Sequence, residues 1–84
     1  MELVWLPLGS EDYLSWQSQD KKTLKRINLL IKDTLRHPLK DIGKPEPLKE
    51  NFSGWWSRRI NGEHRLVYKL EASRLIIMKC RYHY

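Results

Sequence analysis

Glu46 stands between Pro45 and Pro47. Pro45 has a fixed φ and no backbone donor, and Pro47 pushes Glu46 toward extended backbone. A carboxylate on so stiff a stretch is oriented at little entropic cost, as general acid–base chemistry requires. Taken alone, an exposed glutamate in a rigid loop is the commoner meaning. The sequence closes on Cys80-Arg81-Tyr82-His83-Tyr84. A histidine can hand a proton to a departing oxygen, and a tyrosine can stack on a splayed base or bond a phosphate. Terminal residues usually fray, yet these continue an apolar strand. An ordinary amphipathic strand end accounts for them equally well. Arg58, Arg59, Arg65 and Arg81 fall on expected strands, and guanidinium groups suit phosphate recognition. Lys49 adds a further cation. The alternative for these charges is a solvated edge that discourages strand pairing. Together, Glu46, His83, Arg65 and Lys49 offer a base, an acid and a phosphate clamp. RNA needs nothing more, because its own 2′-hydroxyl attacks the adjacent phosphate. DNA lacks that group.

Those residues must be held by a chain of 84 residues, enough for one domain over 1–84. Lys and Arg number 16 against 10 Asp and Glu, for a net charge of +6. Such a field favours polyanions: RNA, DNA, an anionic membrane or an acidic protein. Plain solubility is an equal reading of the charge alone. Cys80 is the single cysteine, so no internal disulfide framework exists, which fits a reducing compartment. There is no apolar run of membrane-spanning length, and Met1-Glu2-Leu3-Val4-Trp5 does not read as a secretion signal. A cytoplasmic protein without membrane association is expected. His37 and His64 lack metal-ligand partners at useful spacing, so neither a metal nor a cofactor is expected. The four tryptophans are read as core or interface, and Cys80 as an inert core thiol.

The elements follow from pattern. Leu3 to Leu6 read as a short strand ended by Pro7. Ser10 is an N-cap candidate, with Glu11 and Asp12 favourable in the first turn. Asp20 is a second N-cap candidate. After it, Leu24, Ile27, Ile31 and Leu35 form an apolar stripe, and Pro38 stops the helix. A loop over Pro38 to Gly54 precedes three strands, Trp55–Ile60, Glu63–Leu70 and Arg74–Tyr84. Asn61-Gly62 marks a hairpin between the first two. Leu75-Ile76-Ile77-Met78 is apolar on both faces and suits a central strand. The order strand, helix, helix, three strands is an α+β layout, with two helices on one face of a mainly antiparallel sheet. The other face is left open as a possible cleft.

Several segments carry a family resemblance. They are Trp16-Gln17, Lys25-Arg26-Ile27-Asn28, Gly43-Lys44-Pro45-Glu46-Pro47-Leu48-Lys49, Ser53-Gly54, Trp56-Ser57-Arg58-Arg59-Ile60, His64-Arg65-Leu66-Val67-Tyr68 and Cys80-Arg81-Tyr82-His83-Tyr84. Over essentially the whole chain, the sequence resembles the Txe/YoeB branch of RelE-type toxins. The resemblance implies a toxin of a bacterial toxin–antitoxin pair, similar in fold to small microbial ribonucleases, that cuts messenger RNA in the ribosomal A site. It implies Glu46 as general base, His83 as general acid and Arg65 as phosphate stabiliser. Lys49 and Arg59 would assist, and Tyr84 would orient the substrate. The implied partners are a YefM-like antitoxin, the ribosome with its messenger RNA, and a second copy in a homodimer. Operator DNA enters only indirectly, with the antitoxin. Leu6-Pro7-Leu8-Gly9 and Leu39-Lys40-Asp41 depart from the family pattern.

The hairpin leaves a register open. A two-residue turn puts Arg58 on the face of Arg65, whereas a three-residue loop, Asn61 to Glu63, puts Arg59 opposite Arg65. The family likeness favours the longer loop. Two other functions share the sequence features. ParE-like relatives inhibit gyrase by binding it and have no need of Glu46, Arg65, His83 and Tyr84. A plain RNA-binding module would sit on ribosomal RNA through the basic second helix.

Overall fold

The computed structural model of the chain describes residues 1–83. It is an α+β fold of two helices packed on one face of a five-stranded mixed sheet. Strand β1 covers Glu2–Trp5, helix α1 Pro7–Gln19 and helix α2 Lys21–Arg36. Strand β2 (Glu46–Pro47) and a 3-10 turn (Glu50–Phe52) interrupt the long loop. Strands β3 (Trp56–Arg59), β4 (Arg65–Glu71) and β5 (Arg74–Lys79) follow. The strands lie in the order β1-β5-β4-β3-β2, with β1 parallel to β5 and the other pairs antiparallel. The apolar strand β5 is interior, one place from the middle. Among the described residues, no helix is long and apolar enough to cross a membrane.

Asp20 caps α2 as its position in the sequence suggests. Its carboxylate accepts from the backbone N–H groups of Lys22 at 3.0 Å and Thr23 at 3.2 Å, and from the Thr23 hydroxyl at 2.7 Å. These bonds, the Thr23 hydroxyl first, hold the Asp20 carboxyl below its ordinary pKa. Ser10 does not cap α1. The helix starts three residues earlier, at Pro7, with Leu6 as its N-cap. Proline suits the first helical position because its missing N–H would have no helical partner there. The buried stripe of α2 is also turned from the expected one. Thr23, Ile27, Leu30, Ile31 and Thr34 face inward, while Leu35 is exposed. Thr34 enters the core because its hydroxyl donates to the Leu30 carbonyl at 2.7 Å.

Ile27, Leu30, Leu66, Tyr68, Leu75 and Ile77 form the centre of the core between helices and sheet, with Trp16 and Cys80 at one end. Burial pushes the Cys80 thiol up to about 12, as expected for an inert core cysteine. Gly9 lets α1 lie directly on β5. A Cβ there would sit 2.7 Å from the Ile77 carbonyl oxygen and 3.2 Å from the Met78 carbonyl carbon. In an open helix, replacing Gly by Ala gains up to about 1 kcal/mol. Overpacking against backbone costs about 1–3 kcal/mol, so here the sign reverses. Gly9→Ala is expected to lower the thermal midpoint, by about 4–8 °C for each kcal/mol lost in a domain of this size. A raised midpoint would show that α1 does not touch the β5 backbone.

Candidate active site

The β3–β4 hairpin turns through the longer loop. Arg59 pairs with Arg65 and Arg58 with Leu66, and the backbone N–H groups of both Ile60 and Asn61 donate to the His64 carbonyl. The Asn61 side chain closes the loop by accepting from the N–H groups of Glu63 and His64 at 2.8 and 2.9 Å. Alternation then sorts the side chains. Arg58, Ile60, His64, Leu66 and Tyr68 point toward the helices. Ser57, Arg59, Arg65 and Val67 point to the opposite face. Glu46 pairs with Ser57 and so joins Arg59 and Arg65 on that face.

Arg58 is therefore not available to a phosphate, contrary to the sequence expectation for the arginines as a set. It is fully buried and pairs with Asp33 at 2.6 Å. Its guanidinium also donates to the carbonyls of His37, Lys40 and Ile42, and its Nε donates to the Tyr68 hydroxyl. The Tyr68 hydroxyl donates in turn to the Pro38 carbonyl at 2.7 Å. One cation thus satisfies the carbonyls of a loop that has no regular structure of its own. Asp33 also accepts from the Ile42 N–H at 3.2 Å. The Arg58 guanidinium above all holds the Asp33 carboxyl below its usual range.

The same loop carries Glu46. Gly43, at φ +85°, accepts from the Arg59 N–H at 2.7 Å, which ties the loop to β3. A Cβ on Gly43 would meet Leu30 Cδ2 at 3.0 Å and Arg58 Cβ at 3.1 Å, so a side chain there would oppose both the backbone angle and the packing. Beyond it, Glu46 is exposed in β2, and it lines a cavity of about 390 Å³ with Lys49, Glu50 and Phe52. Glu46 and Lys49 thus border one space.

Arg59 and Arg65 oppose each other directly, an arrangement that costs energy for like charges. Among the described residues, no carboxylate forms an ion pair with either. Arg65 Nη1 donates to the Asn61 carbonyl at 2.6 Å and to the His64 carbonyl at 2.9 Å. The pair concentrates positive charge on an open face, as an anion site does. Arg81 is used otherwise. It lies over the Trp16 ring at 4.8 Å and donates to Ser15 at 2.9 Å, against α1.

The segment after β5 is fastened residue by residue. The Cys80 N–H donates to Asp12 at 3.0 Å, and the Cys80 carbonyl accepts from Trp16 Nε1 at 2.9 Å. The Tyr82 N–H donates to His64 Nδ1 at 2.7 Å, while the Tyr82 carbonyl accepts from the Arg65 N–H at 3.1 Å. Tyr82 has φ +58°, so the chain turns there. The His83 carbonyl accepts from Lys79 Nζ at 2.6 Å, and the His83 side chain is exposed. Lys79 pairs with Val67 on the face turned from the helices. The fastening brings the Tyr82 backbone against β4, the strand that carries Arg65, and the His83 carbonyl to Lys79. Tyr84, the remaining sequence candidate, lies outside the described residues.

The sequence excludes His64 as a metal ligand and gives it no role of its own. The missed signal is its place one residue before Arg65, which by alternation is a core position. His37 does have neighbours at ligand spacing, contrary to expectation. Asp33, His37 and Asp41 offer atoms within 4.8 Å of one another. The Asp33 carboxylate, however, already serves Arg58 and Ile42.

Comparison with known proteins bears on the whole chain. Residues 5–84 match the model of the family described as YoeB-like toxin of bacterial type II toxin-antitoxin system. Toxin YoeB of Escherichia coli strain K12 is 57% identical over 84 residues, covering 100% of both chains. The solved YoeB/ParE toxin from Agrobacterium tumefaciens superposes with a TM-score of 0.97 at 46% identity, covering 100% of both. A YoeB dimer and a heterotetrameric YoeB-YefM complex, both from Staphylococcus aureus, superpose with TM-scores of 0.92 and 0.91. Each is 47% identical and covers 100% of this chain and 98% of that one. The fold, the sheet register and these likenesses agree: the chain belongs to the YoeB-like toxins of bacterial type II toxin–antitoxin systems.

Proposed function

We propose that the chain is a metal-independent endoribonuclease that cuts messenger RNA in the ribosomal A site and so stops translation in the cytoplasm. The observation that carries this reading is the opposed Arg59–Arg65 pair on the face that also holds Glu46. Two guanidiniums that no carboxylate pairs among the described residues, on the same face as a carboxylate on a stiff loop, fit a reaction in which phosphate gains negative charge.

Glu46 takes the proton of the 2′-hydroxyl, and the 2′-oxygen attacks the adjacent phosphorus. Arg65, with Arg59 and Lys49, stabilises the charge on the phosphoryl oxygens. His83 protonates the departing 5′-oxygen. The products are a 2′,3′-cyclic phosphate and a 5′-hydroxyl end. Tyr84 orients the nucleotide by stacking. Glu46, Arg59 and Arg65 lie on an open face, so the ribosome supplies the substrate geometry and free RNA is cut slowly. The proposed partner is a YefM-like antitoxin, with which the chain meets operator DNA indirectly, and the toxin alone forms a homodimer. The Staphylococcus aureus complex and dimer support both assemblies.

Translating ribosomes given this protein should yield messenger fragments with the two ends named above. Glu46→Gln and His83→Gln should each lower the single-turnover rate by about 10²–10⁴-fold. Arg65→Ala should cost about 10²–10³-fold. Glu46 and His83 are exposed, so the thermal midpoints of their variants should stay close to that of the parent. Intact messenger on stalled ribosomes, or full rates in the Glu46 and His83 variants, would contradict the proposal.

A further inference from the structure

We propose that His64 is a positioning residue, which through its Nδ1 atom fixes the Tyr82 backbone and so places His83 beside Arg65. This rests on the ribonuclease reading for its consequence, but the clamp itself is a feature of the free protein. A backbone N–H can only donate, so the 2.7 Å contact from Tyr82 requires an unprotonated Nδ1 lone pair. The proton of neutral His64 then sits on Nε2, 3.5 Å from Glu63 Oε1. The adjacent Arg65 N–H closes the other side of the clamp on the Tyr82 carbonyl.

The ring has little freedom to turn away. It is 6% exposed. Trp16 of α1 meets it edge-on at 4.8 Å, and the Tyr82 ring lies at 5.2 Å. Tyr82 sits in the left-handed region at φ +58°, where a tyrosine is uncommon and needs its surroundings to hold it. The two hydrogen bonds provide that hold. Without them, His83 would depend on its own carbonyl contact with Lys79.

Protonation of Nδ1 would set N–H against N–H and open the clamp. Among the described residues, the charged and titratable groups around the ring are Glu63 and Arg65 on its own hairpin, and Arg81, Tyr82 and His83 on the segment after β5. Burial above all, then Arg81, His83 and Arg65, push His64 below its ordinary 6.5, while Glu63 opposes them. The unfolded chain therefore binds the proton first as pH falls. The contribution of His64 to folding is complete above 6.5 and is lost as pH drops below it toward the lowered folded value.

The test reads Tyr82 amide protection by hydrogen exchange on the free full-length protein, together with messenger cutting on ribosomes. His64→Phe keeps an aromatic ring and removes the acceptor. His64→Asn keeps an acceptor near the place of Nδ1 and does not titrate. At neutral pH the Phe variant should lose Tyr82 protection and lose kcat by about 10²-fold, the scale of a small misplacement, with KM little changed. The Asn variant should recover much of both and lack the decline in Tyr82 protection below pH 6.5 that the parent shows. Unchanged Tyr82 protection in the Phe variant would overturn the clamp. Lost protection with unchanged cutting would overturn the positioning role. A parent protein that shows the protection pattern but cuts no messenger would instead overturn the ribonuclease reading.

Discussion

The three-residue loop Asn61–Glu63 fixes which face each side chain of β3 and β4 occupies. A slip of one residue would turn over one strand relative to the other. With the observed register, Arg58 enters the core and Arg59 faces Arg65 across the open side. His64 falls on the inner face, where it meets Trp16 and Tyr82. Each half of the candidate site traces to this choice. The Glu46 loop is held by Arg58 and by the backbone of Arg59. The His83 segment is held by His64 and by the backbone of Arg65.

Burying Arg58 is an unusual way to hold a loop. Taking a guanidinium out of water is expensive, and a buried ion pair alone is weak support for stability. What changes the balance is the number of partners. Asp33 supplies the countercharge, and three loop carbonyls and the Tyr68 hydroxyl occupy the remaining donors. Those carbonyls belong to a segment with no helix or strand to satisfy them, and buried backbone groups left unpaired are costly. An apolar residue at position 58 would fill the space and leave them unpaired. Of the Asp33–His37–Asp41 cluster, Asp33 and the His37 carbonyl belong to this network, and Asp41 meets the exposed His37 ring at 3.6 Å.

Much of the fold was legible because local chemistry and tertiary packing agree. Asp20 caps α2, the Asn61-Gly62 signal marks the hairpin, and β5 is apolar on both faces and interior. The errors fall where a neighbour outweighs a local preference. Ser10 reads as a cap, but Pro7 three residues earlier starts the helix. Leu35 continues a stripe, but Thr34 takes the inward place by bonding its hydroxyl to Leu30. The short β2 is invisible to periodicity because two residues have no period. Within the candidate site, residue types and the proline bracket pointed to Glu46, and the hairpin register decides between Arg58 and Arg59. The clamp of Asp12, Trp16 and His64 on the Cys80–Tyr82 backbone was not legible. Its acceptors and donors are up to 68 residues away in sequence, and no local pattern announces such contacts.

The proposed reaction rests on attack by the 2′-hydroxyl at one phosphate. The most direct test places a single 2′-deoxynucleotide immediately 5′ to a mapped cleavage point in a message held on ribosomes. Cutting at that phosphate should vanish while cutting at other positions continues. Undiminished cutting at the deoxy position would contradict the mechanism, because no nucleophile of the kind proposed would then be present.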